Sequence, residues 1–257
     1  MSTLTRPFRI VESELVAYRR TWRGTVISSF VNPVLFLSAM GVFLGSLVDL
    51  AIPYLTFVAT GLMAANAMQN GAGDGAFPVM AGIKWRKDFH GAITTPIGPA
   101  DIVIGRFYWG AIRLTFMLGV FAVISVLFGA LDIGPALLAA PPGVLTGLAF
   151  QTVVTAFTVT REDETSLSTM FRFGIIPLFL FSGTFFPISQ LPDFLQRVAY
   201  ATPLFHGVEL VRKIALPDVD ASVVTSIPIW VHLLYLGAMT AIGIALSSRF
   251  LSRRLRP

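Results

Sequence analysis

Few side chains in this 257-residue sequence have the type and spacing for chemistry. His90, His206 and His232 are the only histidines. None stands in HExxH spacing or beside a second ligand, so they define no zinc site. Glu162, Asp163 and Glu164 form an acidic cluster, suited to general acid–base work or simply to a solvated loop opening the next helix. There is no GxSxG elbow, no GxxxxGK[ST] phosphate loop and no GxGxxG run after a strand. ATP hydrolysis by the usual P-loop route is therefore excluded, and the lack of cysteine excludes disulfides and thiolate metal sites.

Other polar residues stand inside apolar runs. An arginine at mid-span costs roughly 2.5–3.5 kcal/mol, so Arg113 is expected as a snorkelling anchor or internal ion-pair partner, or as a substrate or gating contact. Asn66, Gln69 and Asn70 cluster in one run, with 66 and 70 on one helical face. Such amides join helices, at roughly 0.6 kcal/mol each, or line a wetted pathway. His232 reads as a helix–helix hydrogen bond or a ligand. Gly41 and Gly45 form a GxxxG spacing, weak evidence for dimerisation.

The elements that must hold these residues follow from composition. The chain is 54% hydrophobic and only 13% charged, with mean hydropathy +0.74. A soluble domain carries about 25% charged residues, so the class is membrane protein. Uncharged or nearly uncharged runs predict six spans, each near the 20 residues a bilayer needs. They lie at about 23–49, 50–73, 102–131, 133–160, 173–187 and 223–248, the third containing Arg106 and Arg113. The first run is expected as a retained span, not a removed signal peptide. No repeat or linker divides residues 1–257.

Orientation follows from the basic residues. Arg6, Arg9, Arg19, Arg20 and Arg23 precede the first span, Lys84, Arg86 and Lys87 follow the second, Arg161 and Arg172 flank the loop after the fourth, and Arg249, Arg253, Arg254 and Arg256 end the chain. The loops holding Asp49 and Asp132 contain no Lys or Arg. This asymmetry predicts both termini in the cytoplasm. It also accounts for the net charge of +5 without a nucleic-acid partner.

Three segments do not span. Over 7–23, Phe8, Val11, Leu15, Tyr18 and Trp22 recur at three- and four-residue steps, predicting an amphipathic helix on the inner bilayer surface. The second is the basic stretch 77–101. The third, 187–221, is external and apolar, and Pro187, Pro192 and Pro203 cut it into pieces too short to cross.

This layout resembles the ABC-2 type permeases, and two runs carry the resemblance. KWRKDFHGAITTPIGPADIVIGR, Lys84 to Arg106, is similar to that family's TP…D…G segment entering the third span. FSGTFFPISQLPDFLQRVAYATPLFHGVELVR, Phe181 to Arg212, is similar to its SG..FP…LP stretch after the fifth, in a spelling nearest the subgroup exporting nodulation factors and drugs.

The resemblance implies a permease subunit working as a dimer, identical or mixed, with two copies of a separate ATPase subunit that bind ATP and Mg. No cofactor is expected on this chain. It implies a coupling helix at 82–93, with Lys84, Trp85, Arg86, Lys87, Asp88 and Phe89 facing the ATPase, although the same stretch is also an ordinary basic loop. Arg161 to Thr169 would be a second contact, and the 7–23 helix would transmit ATPase closure to the first span. Short external re-entrant helices would hold Phe185, Phe186, Phe205 and His206 near a gate, or merely packed together. With no large accessory region, the implied cargo is a small amphiphile, drug or lipid-linked molecule, exported across a bacterial inner membrane. The competing class is an ATP-independent channel or ion-coupled carrier, which would call for charged, broken helices repeated in both halves.

Overall fold

One buried helix organises the molecule. In the computed structural model, which describes residues 5–43, 50–217 and 223–255, helix α2 (Tyr54–Met80) buries 20 of its 27 residues. Its Ala- and Gly-rich sequence lets neighbours approach closely. A methyl group added at Gly71 would meet the Gly147 carbonyl oxygen of α5 (Ile133–Val159) at 2.0 Å. Around α2 lies the main core, including Phe57, Leu62, Met63, Met68, Leu118 and Phe121.

Helix α1 runs unbroken from Arg6 to Phe36, about 46 Å at 1.5 Å per residue, and continues as a π-turn over Leu37–Phe43. No break at Arg23 separates the expected 7–23 helix from the first apolar run. After α2, a π-turn (Ala81–Trp85) leads to the five-residue α3 (Asp88–Ala92). Helix α4 (Pro99–Leu127) begins with Pro at its first position, and its Asp101 carboxylate accepts from the Gly98 N–H at 2.8 Å.

The expected fifth span is short and irregular: α6 (Thr165–Met170), a π-turn and α7 (Ile176–Phe181). The acidic trio before it is exposed. Asp163 accepts from the Ser166 N–H at 2.8 Å, and this bond holds its carboxyl below the usual carboxylate range. Beyond Pro187 come α8 (Asp193–Tyr200) and α9 (Pro203–Ala215), and α10 (Ile229–Leu255) closes the bundle against α5. Helix α9 is mostly buried, packed on α2 and α5.

The described residues are helical with no strand. Three helices, Pro99–Leu127, Ile133–Val159 and Ile229–Leu255, are long and apolar enough to cross a membrane. Asp49, Gly45, Arg256 and residues 218–221 of the 187–221 segment lie outside the described residues.

Candidate functional site

At the Met80 end of α2, four helices meet around charge. Arg106 of α4, 4% exposed, pairs with Glu14 of α1 and donates to the Asp74 carbonyl of α2 at 2.9 Å. Two turns further along α4, Arg113 Nη1 lies 2.5 Å from the Asp74 carboxylate, which is itself buried. From α5, Gln151 donates to the Arg106 carbonyl at 3.0 Å. Two guanidinium groups thus face two carboxylates in a largely water-free setting, where a broken buried pair costs about 3–5 kcal/mol.

The Lys84–Phe89 stretch is attached to this cluster through one ring. Phe89 is 6% exposed, lies against Gly82 and sits with its centroid 5.9 Å from the Arg106 guanidinium. Trp85 is 49% exposed, and Lys84, Arg86, Lys87 and Asp88 are exposed with it. The chain turns here through Lys87, the single non-glycine residue with positive φ (56°) among those described. Arg86 and Asp88 pair across that elbow at 2.8 Å, and Lys84 donates to the Glu162 carbonyl at 2.7 Å. The continuous 82–93 helix of the sequence reading is therefore two pieces on either side of an elbow, and Phe89 points inward.

Helix α1 meets the cluster on a face offset from the predicted apolar one. Pro7 and Ile10 are buried, Ile10 against Gly105, and Glu14 and Tyr18 continue that line along α4. Tyr18 meets Trp109 edge-on at 5.5 Å, while Phe8 stacks on Tyr108 at 5.6 Å. Phe8, Leu15 and Trp22 remain exposed, and Val11 is half-buried.

The remaining predicted residues lie elsewhere. Asn66 and Asn70 each donate back to their own helix, to the Leu62 and Asn66 carbonyls, and Gln69 is half-buried beside them. Phe185 and Phe186 line an apolar groove of about 470 Å³ with Phe36, Met40, Tyr54 and Phe179. Phe205 and His206 are buried in a separate cluster, where His206 Nδ1 lies 2.9 Å from His232 Nδ1 and its ring stacks on Tyr235. The four expected gate aromatics therefore form two groups.

Sequence reasoning missed Asp74, Glu14 and Gln151. The signal was available, because Arg106 and Arg113 stand seven residues apart, on one helical face, and two such charges in an apolar run require nearby acids.

A helical bundle with three helices long and apolar enough to cross a bilayer, and a charged cluster beneath one exposed turn, defines a helical membrane protein. The chain belongs to the ABC-2 type transporter family, whose profile matches residues 8–216. It is 27% identical over 251 residues to Nodulation protein J of Rhizobium meliloti (strain 1021), covering 94% of this chain and 91% of that one. Nodulation protein J of Sinorhizobium fredii (strain NBRC 101917 / NGR234) is 28% identical over 206 residues, 78% of each chain. The Inner membrane transport permease YadH of Escherichia coli (strain K12) is 22% identical over 216 residues, 83% of this chain and 84% of its own.

Proposed function

We propose that this chain is the membrane subunit of an ATP-binding-cassette exporter, crossing the inner membrane six times with both termini cytoplasmic. Two permeases, identical or related, form the pathway, and two ATPase subunits holding ATP and Mg bind the turn around Lys87. The cargo is a small amphiphile, drug or lipid-linked molecule moving outward. Membership of the ABC-2 family and the names of the relatives support this reading.

The observation that carries the coupling role is the link from Phe89 to Arg106. Trp85, Arg86 and Lys87 present an aromatic ring and charge to a partner, a mixture suited to an interface. A push on this turn displaces Phe89, and through it the guanidinium that ties α4 to Glu14 of α1 and to the Asp74 carbonyl of α2. Packed interfaces of this kind shift between discrete arrangements, so a small displacement at the turn becomes a movement of three helices.

The test is co-purification from detergent of the tagged permease with an ATP-binding-cassette ATPase from its native host. Trp85→Asp is expected to release the ATPase while the permease still elutes as a folded species. Retention of the ATPase at wild-type yield by that variant would overturn the docking assignment.

A further inference from the structure

Two of the three histidines meet inside the bundle and have no part in the coupling route. His206 of α9 and His232 of α10 are 6% and 0% exposed, with their Nδ1 atoms 2.9 Å apart. The contact fastens two helices that each also pack on α5. Tyr235, one turn along α10, stacks on the His206 ring with centroids 4.0 Å apart and donates its hydroxyl to the Ala201 carbonyl at 2.8 Å. Phe205 meets both imidazoles edge-on, at 5.3 and 5.9 Å. It also lines a cavity of about 520 Å³ at the Tyr54 end of α2, bordered by Arg212 and Ser226.

A hydrogen bond between two Nδ1 atoms needs one of them protonated and the other bare. His232 Nε2 is buried without a hydrogen-bond partner. A bare nitrogen tolerates that isolation better than an N–H does, since orphaned donors are the rarer and costlier case. The proton of His232 is therefore assigned to Nδ1, and His206 Nδ1 accepts. A further proton has two places to go, and both are unfavourable. On His206 Nδ1 it sets two N–H groups head to head. On His232 Nε2 it makes a buried charged donor with no acceptor.

The surrounding elements do not answer such a charge. Glu209, the one acid of α9, accepts from the Thr225 N–H and hydroxyl at 2.8 and 2.6 Å and has Lys213 at 3.7 Å. Lys213 adds a charge of the same sign as a protonated His232. Arg212 is turned to the Phe57 and Thr184 carbonyls. Helix α5 carries no ionisable side chain. In α2 and α4, Asp74 and Arg113 pair with one another, and Arg106 pairs with Glu14. Helix α8 sets Tyr200 against Phe205 and leaves Asp193 and Arg197 exposed.

We propose that the His206–His232 pair is an acid-sensitive fastener, which holds α9 to α10 while one Nδ1 stays bare and releases them when both carry protons. An imidazole in an unfolded chain takes up its proton at about pH 6.5. Below that pH the unfolded chain binds protons that the closed pair cannot accept. The contribution of the pair is thus present above about pH 6.5 and is lost as the pH falls. The device needs no ATPase and no cargo, so it stands or falls separately from the exporter reading.

Full-length His90→Gln protein, whose only histidines are the pair, is labelled with nitrogen-15 histidine and reconstituted in liposomes. At pH 7.5 its NMR spectrum is expected to show two bare and two protonated ring nitrogens, with a coupling across the hydrogen bond between the two Nδ1 atoms. That coupling should vanish between pH 6.5 and 4.5 as the bare nitrogens take up protons. In maltoside micelles, the unfolding midpoint should fall about 5 °C further between pH 7.5 and 4.5 than in the double variant His206→Phe with His232→Leu. Absence of the coupling at pH 7.5, or its persistence at pH 4.5, overturns the proposal. An equal fall of the midpoint in both proteins also overturns it, and the coupling alone decides if the double variant does not fold.

Discussion

Arg113 Nη1 reaches across from α4 to the Asp74 carboxylate of α2 at 2.5 Å, so the charge inside this apolar helix is answered within the protein. That contact favours the internal-partner reading of Arg113, and it makes the two residues a single energetic unit. Removing one partner leaves the other charged and largely buried. Asp74→Ala is expected to cost about 3–5 kcal/mol, and Arg113→Ala a comparable amount. The pair Asp74→Leu with Arg113→Leu should cost clearly less than the sum of its single changes. Denaturant unfolding in mixed micelles, followed by tryptophan fluorescence, closes this cycle. Strict additivity would show that the two groups do not depend on one another.

Trp85 and Phe89 lie four residues apart but have opposite environments, 49% and 6% exposed. Phe89→Ala removes a packed ring beneath Gly82 and Arg106 and is expected to lower stability by about 3–5 kcal/mol. Trp85→Ala should leave unfolding within about 0.5 kcal/mol of wild type, as for a surface change. ATPase co-purification should respond the other way, with Trp85→Ala lowering recovery at unchanged stability. The two readouts together separate a docking residue from one that supports the dock. A stability loss at Trp85 equal to that at Phe89 would contradict the assignment.

Composition and periodicity were enough to establish the helical membrane class, because burying a backbone in lipid leaves few alternatives to helix. The apolar runs also gave α5 nearly to its ends and α4 to within about a turn, whereas α10 begins and ends six to seven residues later than its run. Other features depended on partners distant in sequence. Asp74 reads as a stray acid until α4 lies beside α2 and brings two arginines to it. Phe89 looks like an exposed anchor until Lys87 adopts a left-handed turn and folds the ring inward. The division at Arg23 rested on where the amphipathic pattern and the basic residues stop, whereas the helix continues past it because no residue there breaks the hydrogen-bond ladder. Likewise α9, cut short by flanking prolines in the sequence, packs inside the bundle because its apolar face finds α2 and α5.

Gly71 and Gly73 differ by two positions and should respond differently to one methyl group. A Cβ at Gly71 would sit 2.0 Å from the Gly147 carbonyl oxygen, a backbone atom that cannot swing aside. A Cβ at Gly73 meets nothing within 4 Å. Gly71→Ala is therefore expected to separate α2 from α5 at a cost of about 1–3 kcal/mol, as overpacking does. Gly73→Ala should be neutral or mildly stabilising, since alanine is the better helix former. Monodispersity on size-exclusion chromatography and the unfolding midpoint both report the difference. Equal behaviour of the two variants would mean that α2 and α5 are not this close.

The chain has no cysteine, so a single introduced thiol reports its own location without further changes. Trp85→Cys and Ser226→Cys place that thiol at exposed positions near the two ends of α2. The cavity bordered by Ser226 is tied to Phe57 through Arg212, and Phe57 to Trp85 spans about 40 Å of helix at 1.5 Å per residue. That exceeds a hydrocarbon core of about 30 Å, so the two thiols should face opposite sides of the membrane. A membrane-impermeant maleimide is expected to modify Ser226→Cys in intact spheroplasts and Trp85→Cys only in inside-out vesicles. Labelling of Trp85→Cys in intact spheroplasts would put the Lys84–Phe89 turn outside the cell, beyond reach of any cytoplasmic ATPase.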